Sequence, residues 1–542
     1  MHALAHEEVW GTLCVMRSSQ VKALHGEVMQ LYNLVLSLFF GETHDIRLSG
    51  VSVSVGHDET ATRATIFARV GVHLADEPAL KELFNCKGHA GIKPCCLCVD
   101  ATAHNTGGIP LHVLTGAAVS IANPNWDAFT THSDESIRAV VERINIHHAD
   151  YLAGRLTKGD FDQRSMVLGW NWAPDSPIVN AKYGLNIAST TMFDWAHVYV
   201  HDGLADVELG QIMKAFHSRR YPTTFQELGE YVDSFSFPKA MPTVSRLFNP
   251  SANVNNARKG SFTCTGSEFM TLTPVLHRYF DRVVRARGQL TAHVESMLAC
   301  LSVVMLLMAV RTGEVSASEL FEAVSLHLRL YQACYGDICM RPKHHYALHL
   351  PDMLRRFGFL LATFTHERKH RLVMRYTRGR SNLKSWDLGA IEDITCHQVW
   401  ELKQEFFLAM TTSQPRGRIL LGLRDAFPGV ADAAFTLVNR ICGNGGHICP
   451  GDVVSCLVDG EVQLGEYLLS VGMDGMGMHS LVALWKCDGA LERGQSWVKF
   501  AVSDDNVVKV STTDAIDSVF THRMAADRRT CVVYFPPEVR AI

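Results

Sequence analysis

Alternating and helically spaced apolar positions divide the chain into an α/β start, a helical middle and a β tail. "GVSVSVG" puts Val51, Val53 and Val55 on one side of an extended segment, the period-two pattern of a half-buried strand. Ahead of it, residues 18–40 carry an amphipathic helical pattern ending in "SLFFG". Behind it, "ATIFARVGVHLAD" predicts a second strand that ends at Asp76. "EPALKELF" then predicts a helix with Pro78 in its first turn. Residues 100–185 predict irregular structure, whereas residues 186–216 and 265–336 predict helices. In the second of these, Ser316 and Glu319 have capping-box spacing, Leu320, Val324, Leu328 and Tyr331 recur at helical spacing, and Gly336 is placed to stop the helix. "KHHYALHLPDMLRRFG" and "THERKHRLVMRYTRG" predict two more helices. Composition changes near Pro415, and from Asp452 onward "VVSCLVDG", "EYLLSV" and "CVVYF" predict the strands of a small β-barrel-like C-terminal domain.

Bulk properties narrow the classes. A chain of 542 residues is too long for one core. Its net charge of -4 gives no global sign of a nucleic-acid binder, so such a function needs a local basic patch. Fifteen cysteines scattered without a framework read as reduced thiols with room for a metal site, which suits cytosol or nucleus. The start, "MHALAHEEVWGTLCV", has no signal-peptide pattern. The longest apolar run, residues 297–310, is interrupted by Ser302 and is too short to span a bilayer, so no membrane partner is expected.

Chemistry concentrates in a few blocks. In "NCKGHAGIKPCCLC", Cys95 and Cys98 have the spacing of half a zinc site, which needs four ligands. "RPKHHYALHL" supplies the other half, through either His344 and His349 or His345 and His349. Asp76 precedes the cysteines and Glu367 follows the histidines, so a shared metal would fix both acid-bearing segments. Carboxylates around hard cations run phosphodiester chemistry by a two-metal mechanism. Residues 341–384 hold eleven Lys and Arg, among them Arg368, Lys369, Arg371, Arg375, Arg378 and Arg380, against only Asp352 and Glu367. That patch suits phosphate contacts. "HERKH" also matches H-E-x-x-H at His366, Glu367 and His370, with Glu392 as a third ligand of a zinc peptidase. Arg368, Lys369 and Arg371 oppose a cation there. "FDWAHVYVHDG" carries Asp194 and His197 as D-x-x-H, either a packed hydrogen-bonded pair or an accessory to the metal site.

The order Asp, C-x-x-C, D-x-x-H, histidine pair, Glu resembles CACTA-type (En/Spm-like) DNA transposases. The blocks are "LADEPALKELFNCKGHAGIKPCCLC", "FDWAHVYVHDG" and "PKHHYALHLPDMLRRFGFLLATFTHERKHR". The V(D)J recombinase catalytic subunit has a similar order. The resemblance covers roughly residues 20–410 and leaves out the tail. It implies an α/β RNase H-like core with a large all-α insertion. Residues 1–100 would be a partial core, 101–350 the helical insertion, 351–410 the return to the core, and 411–542 the β-rich domain. It implies that Asp76 and Glu367 are the second and third carboxylates holding catalytic magnesium, and that Cys95, Cys98, His344 and His349 hold structural zinc. It implies DNA as partner, a homo-oligomer assembled on DNA, and a nuclear location. The first carboxylate strand has no counterpart before Asp76, because the helix already begins near residue 18. The expectation is therefore an N-terminally truncated, incomplete core that does not cut DNA by itself. The alternative is a non-catalytic, transposon-derived nuclear DNA-binding or assembly protein.

Overall fold

Asp76 sits at the end of a strand and the start of a helix, as the hydrophobic pattern requires. The computed structural model describes residues 10–41, 44–55, 62–104, 118–174, 176–178, 180, 182–239, 244–310, 315–378, 386–402, 412–438, 441–443, 446–458, 461–473, 477–487, 497–501, 507–511, 517–518, 520–523 and 530–534. Two units divide the chain: residues 1–204 with 316–400, and residues 205–315 with 401–542. The helical stretch expected as one insertion over 101–350 is shared between them.

In the first unit, α1 (Glu27–Phe39) accounts for most of the helical pattern over 18–40. The valine alternation forms β1 (Val51–Val55), paired antiparallel with β2 (Thr62–Ile66), Val51 opposite Ile66. The second expected strand is split: β2 ends at Ile66, and β3 (His73–Ala75) resumes after Gly71. Asp76 then caps α2 (Glu77–Phe84), accepting the Ala79 N–H at 2.9 Å, with Pro78 in the first turn.

Residues 100–185 are more regular than expected. They contain α3 (Asp134–Leu152) and α4 (Lys158–Leu168), capped by the hydroxyls of Ser133 and Thr157. Ile137, Val141 and Ile144 form the buried stripe of α3, a helical spacing present in the sequence. β4 (Thr191–Phe193) interrupts the helix expected over 186–216, and α5 (Trp195–Tyr199) follows it. Three residues are too few to show a period. Their strand state comes from parallel pairing with β3: His73 opposite Thr191, Leu74 opposite Met192, Ala75 opposite Phe193. Parallel neighbours need a long crossover, and such strands are covered on both faces. Met192 is accordingly fully buried.

The remaining helices of this unit are α6 (Ala317–Tyr335), α7 (Pro342–Phe357), α8 (Phe364–Thr377) and α9 (Trp386–Leu402). Ser316 caps α6 by accepting the Glu319 N–H at 3.1 Å. Gly336 ends α6 at φ +78, a conformation that favours glycine. α7 packs against α6, α5 and β4.

The second unit joins helices to antiparallel sheets. Its helix Thr291–Ala309 is long and apolar enough to cross a membrane, longer than the apolar run alone suggested. Over half of its apolar window is buried in the fold, which makes it a core helix. The β tail forms a seven-stranded sheet, a two-stranded pair (Ile441–Gly443 with Gly446–Ile448) and four strands of a five-stranded sheet completed by Phe235–Ser236, rather than a closed barrel. The long strand Glu461–Met473 bends at a bulge between Tyr467 and Leu469. It pairs with Val453–Val458 near its start and with Phe435–Val438 near its end. Among the described residues, the strands at the two ends of that path, Val507–Ser511 and Asp517–Ser518, do not pair with each other, so the sheet stays open.

Met192 tests how far this strand pair organises the first unit. Met192→Ala is expected to cost about 2–5 kcal/mol, because it empties a fully buried site. Leu38→Ala, at a side chain 72% exposed, is expected to change stability by less than about 0.5 kcal/mol. Chemical denaturation monitored by circular dichroism reads both values.

Candidate metal centre

Backbone pairing holds the cysteine loop still. Val99 N–H donates to Thr130 O at 2.8 Å and His132 N–H to Leu97 O at 2.8 Å. Lys93 Nζ donates to Val99 O at 2.6 Å. The buried Asp100 carboxylate accepts the Thr130 N–H at 2.9 Å. Tyr346 on α7 donates its hydroxyl to Pro94 O at 2.8 Å, which ties the loop to that helix.

Four donor atoms converge where the loop meets α7. His349 Nε2 lies 3.3 Å from Cys95 Sγ, 3.4 Å from Cys98 Sγ and 3.3 Å from His345 Nε2. All four donor atoms lie within 4.8 Å of one another. A tetrahedron with zinc bonds of about 2.05 Å to nitrogen and about 2.3 Å to sulfur has edges of about 3.3 Å between nitrogens and about 3.6 Å between nitrogen and sulfur. The side chains therefore form a cage of zinc size.

The cage is dry and walled by rings. All four residues are buried. Phe129 meets the His345 ring at 4.4 Å, and Trp126 and Phe193 meet the His349 ring at 4.7 Å and 5.3 Å. Burial, helped by the adjacent Cys98, pushes the Cys95 thiol up to about 11. Burial holds His345 below its ordinary value. Burial thus disfavours the charged forms of both His345 and Cys95. A cation that displaces thiol protons satisfies both side chains at once. The Leu97 N–H, 3.4 Å from Cys95 Sγ, is placed to donate to the resulting thiolate.

His344 is not part of this cage, which corrects the ligand set read through the family resemblance. Its Nδ1 accepts the Arg341 N–H at 2.8 Å, and its ring packs on Tyr331 of α6 at 4.4 Å. The helical period gives the reason. Residues four apart share a face, whereas residues five apart diverge by about 140°. The structure selects the second pair that the sequence left open, His345 with His349.

Two aspartates follow the paired strands. Asp76 and Asp194 each follow the last residue of β3 and β4, which are paired in register. Neighbouring strands lie about 4.8 Å apart, so these two backbones are adjacent at the carboxyl ends of the pair. Asp194 is buried and its carboxylate is occupied. One oxygen accepts the Ala196 N–H at 2.9 Å; the other accepts the Thr363 hydroxyl at 2.5 Å and meets His197 Nδ1 at 2.5 Å. D-x-x-H is thus a packed hydrogen-bonded pair. Thr363 stands at the start of α8, so this bond docks the helix that carries Glu367 onto the end of β4. The side chains of Glu367 and Arg368 lie outside the described residues.

Packing trims the basic segment. Arg355 and Arg356 pair with Asp352 at 3.1 Å and 2.9 Å. Lys343 Nζ donates to Asp202 O at 2.7 Å. Lys369 is buried, and its Nζ donates to the Gln398 side-chain oxygen at 3.0 Å in the amide orientation that satisfies both groups. Arg371, Arg375 and Arg378 are exposed, and Arg380 lies outside the described residues. In the H-E-x-x-H stretch, His366 packs on Trp10 at 4.5 Å and His370 is exposed. Neither joins Glu392 in a donor cluster among the described residues.

The protein is expected to bind one zinc ion per chain, measured by elemental mass spectrometry. Cys98→Ser and His345→Ala should lose it, whereas His344→Asn should keep it. Zinc retained by His345→Ala would overturn the ligand set. Because burial keeps the Cys95 thiol protonated at neutral pH, zinc loading should release protons and tighten as pH rises, which titration in two buffers of different ionisation heat reads out. No protein-family model matches the chain, and no curated protein matches it.

Proposed function

We propose that the chain is a transposase-like protein of the cut-and-paste type that acts on duplex DNA, with its first unit built on an RNase H-like core. The observation that carries this reading is the linkage between distant segments. The C-x-x-C loop that follows the Asp76 helix meets, through His345 and His349, the helix that precedes the Glu367 helix. The same order of elements is what the sequence resemblance leads one to expect. The parallel pair ending at Asp76 and Asp194 adds support, since ligands of parallel sheets gather at the carboxyl ends of strands.

In this reading zinc braces the fold, and Asp76 and Glu367 are the magnesium carboxylates. Magnesium would polarise a phosphodiester and activate the attacking oxygen. Two carboxylates are too few to hold two such ions in octahedral geometry, and the Asp194 carboxylate is engaged by Thr363, Ala196 and His197. The chain alone is therefore read as a DNA-binding, assembly-competent protein that does not cleave, acting in the nucleus as a homo-oligomer on DNA. The zinc-peptidase reading has no support in the placement of His366 and His370.

DNA binding tests the proposal. Affinity for a duplex should fall steeply with salt, by about 0.9 in the log–log slope per phosphate contact. Arg371→Glu combined with Arg375→Glu should weaken binding to all sequences alike and flatten that slope. No duplex binding at about 50 mM salt, or binding indifferent to salt, would remove the reading. Magnesium-dependent cleavage by this chain, abolished by Glu367→Gln, would keep the family and refute the expected inactivity.

A further inference from the structure

α3 and α4 form a helical hairpin whose register is fixed by ring contacts. His148 meets Phe161 at 5.5 Å and Tyr151 meets Phe161 at 5.9 Å. This register sets position 147 of α3 across from position 164 of α4. Arg143 lies one turn before His147 on the same helix face. Arg143, His147 and Arg164 therefore share one patch, within a single unit of the chain.

Carboxylates neutralise this patch only in part. Arg143 and Arg164 are exposed, and neither forms an ion pair among the described residues. The carboxylates of the hairpin have other partners, Asp150 with Arg155 at 2.6 Å, Asp162 with Lys158 at 3.1 Å and Asp160 with the Thr157 hydroxyl at 2.6 Å, while Asp160 also attracts Arg164 and Asp150 also attracts His147. Glu142 projects about 100° away from Arg143 around the helix. His147 Nδ1 is buried with no hydrogen-bond partner, which leaves Nε2 as the nitrogen of this half-buried ring that can meet a ligand. Burial, then Arg164 and Arg143, hold His147 below its ordinary value, while Asp150 acts the other way. Both arginines therefore act on the ring, with Asp150 opposing them.

We propose that Arg143, His147 and Arg164 form a phosphate-binding site on the α3–α4 hairpin. Two guanidinium forks match the oxygens of a phosphate and bind them more strongly than neutral donors do. An imidazole N–H supplies a third donor. A bound anion also relieves the repulsion between the two arginines. The phosphate belongs either to a nucleic-acid backbone, which rests on the DNA reading above, or to free inorganic phosphate.

The test compares wild type with the double variant Arg143→Gln, Arg164→Gln in the full chain. Both positions are on the surface, so the variant should keep wild-type stability in phosphate-free buffer. One arm measures duplex binding over a salt series. Loss of two phosphate contacts should flatten the log–log slope by about 1.8. The other arm measures the thermal midpoint with and without inorganic phosphate, against chloride at equal ionic strength. Phosphate should raise the wild-type midpoint and leave the variant unchanged if free phosphate is the ligand. A change in either arm upholds the site and identifies the source. Phosphate protection lost in the variant, in a chain that binds no DNA, would retain the site and remove the DNA reading. Identical slopes together with identical phosphate responses would overturn the site.

Discussion

The convergence of Cys95, Cys98, His345 and His349 is the constraint on which the first unit depends. It joins a loop near the start of the chain to a helix some 250 residues later, at donor distances of 3.3–3.4 Å. Closing such a loop by hydrophobic contact alone costs ordering entropy that grows with its length. A structural zinc ion contributes on the order of 10–16 kcal/mol, comparable to the whole net stability of a domain. A metal held by these four side chains would fasten α7 to the cysteine loop, beside the Tyr346–Pro94 hydrogen bond, and β4 packs on α7.

The acidic groups inherit their positions from that arrangement. Asp76 and Asp194 are paired by strand register, and Asp194 spends its carboxylate on holding α8 through Thr363. A buried carboxylate with three donors is a structural anchor whose removal leaves donors unsatisfied. It is not an open ligand.

Much of this was legible in the sequence because local rules suffice. Asp76 with Pro78 announced a helix start, Gly336 a helix end, and Cys95 with Cys98 a metal knuckle. Other features depended on tertiary contacts. β4 is three residues long and becomes a strand only by pairing with β3. The choice between His344 and His345 turned on which helix face met the loop. Spacing left it open, and the family pattern pointed to the wrong one. α3 was missed although Ile137, Val141 and Ile144 carried its stripe, because the polar residues around them masked it. The barrel-like tail proved to be separate sheets without closure, since strand patterns record alternation but not closure. Basic residues in 341–384 were countable, but only packing showed that Lys369 is buried and that Arg355 and Arg356 are paired.

The most direct test of the account is X-ray absorption at the zinc edge on the purified, metal-loaded chain. A Cys2His2 centre predicts two sulfur scatterers at about 2.3 Å and two nitrogen scatterers at about 2.0–2.1 Å, with imidazole outer-shell features. A first shell of oxygen and nitrogen alone, without sulfur, would place the metal elsewhere and contradict the linkage of the cysteine loop to α7.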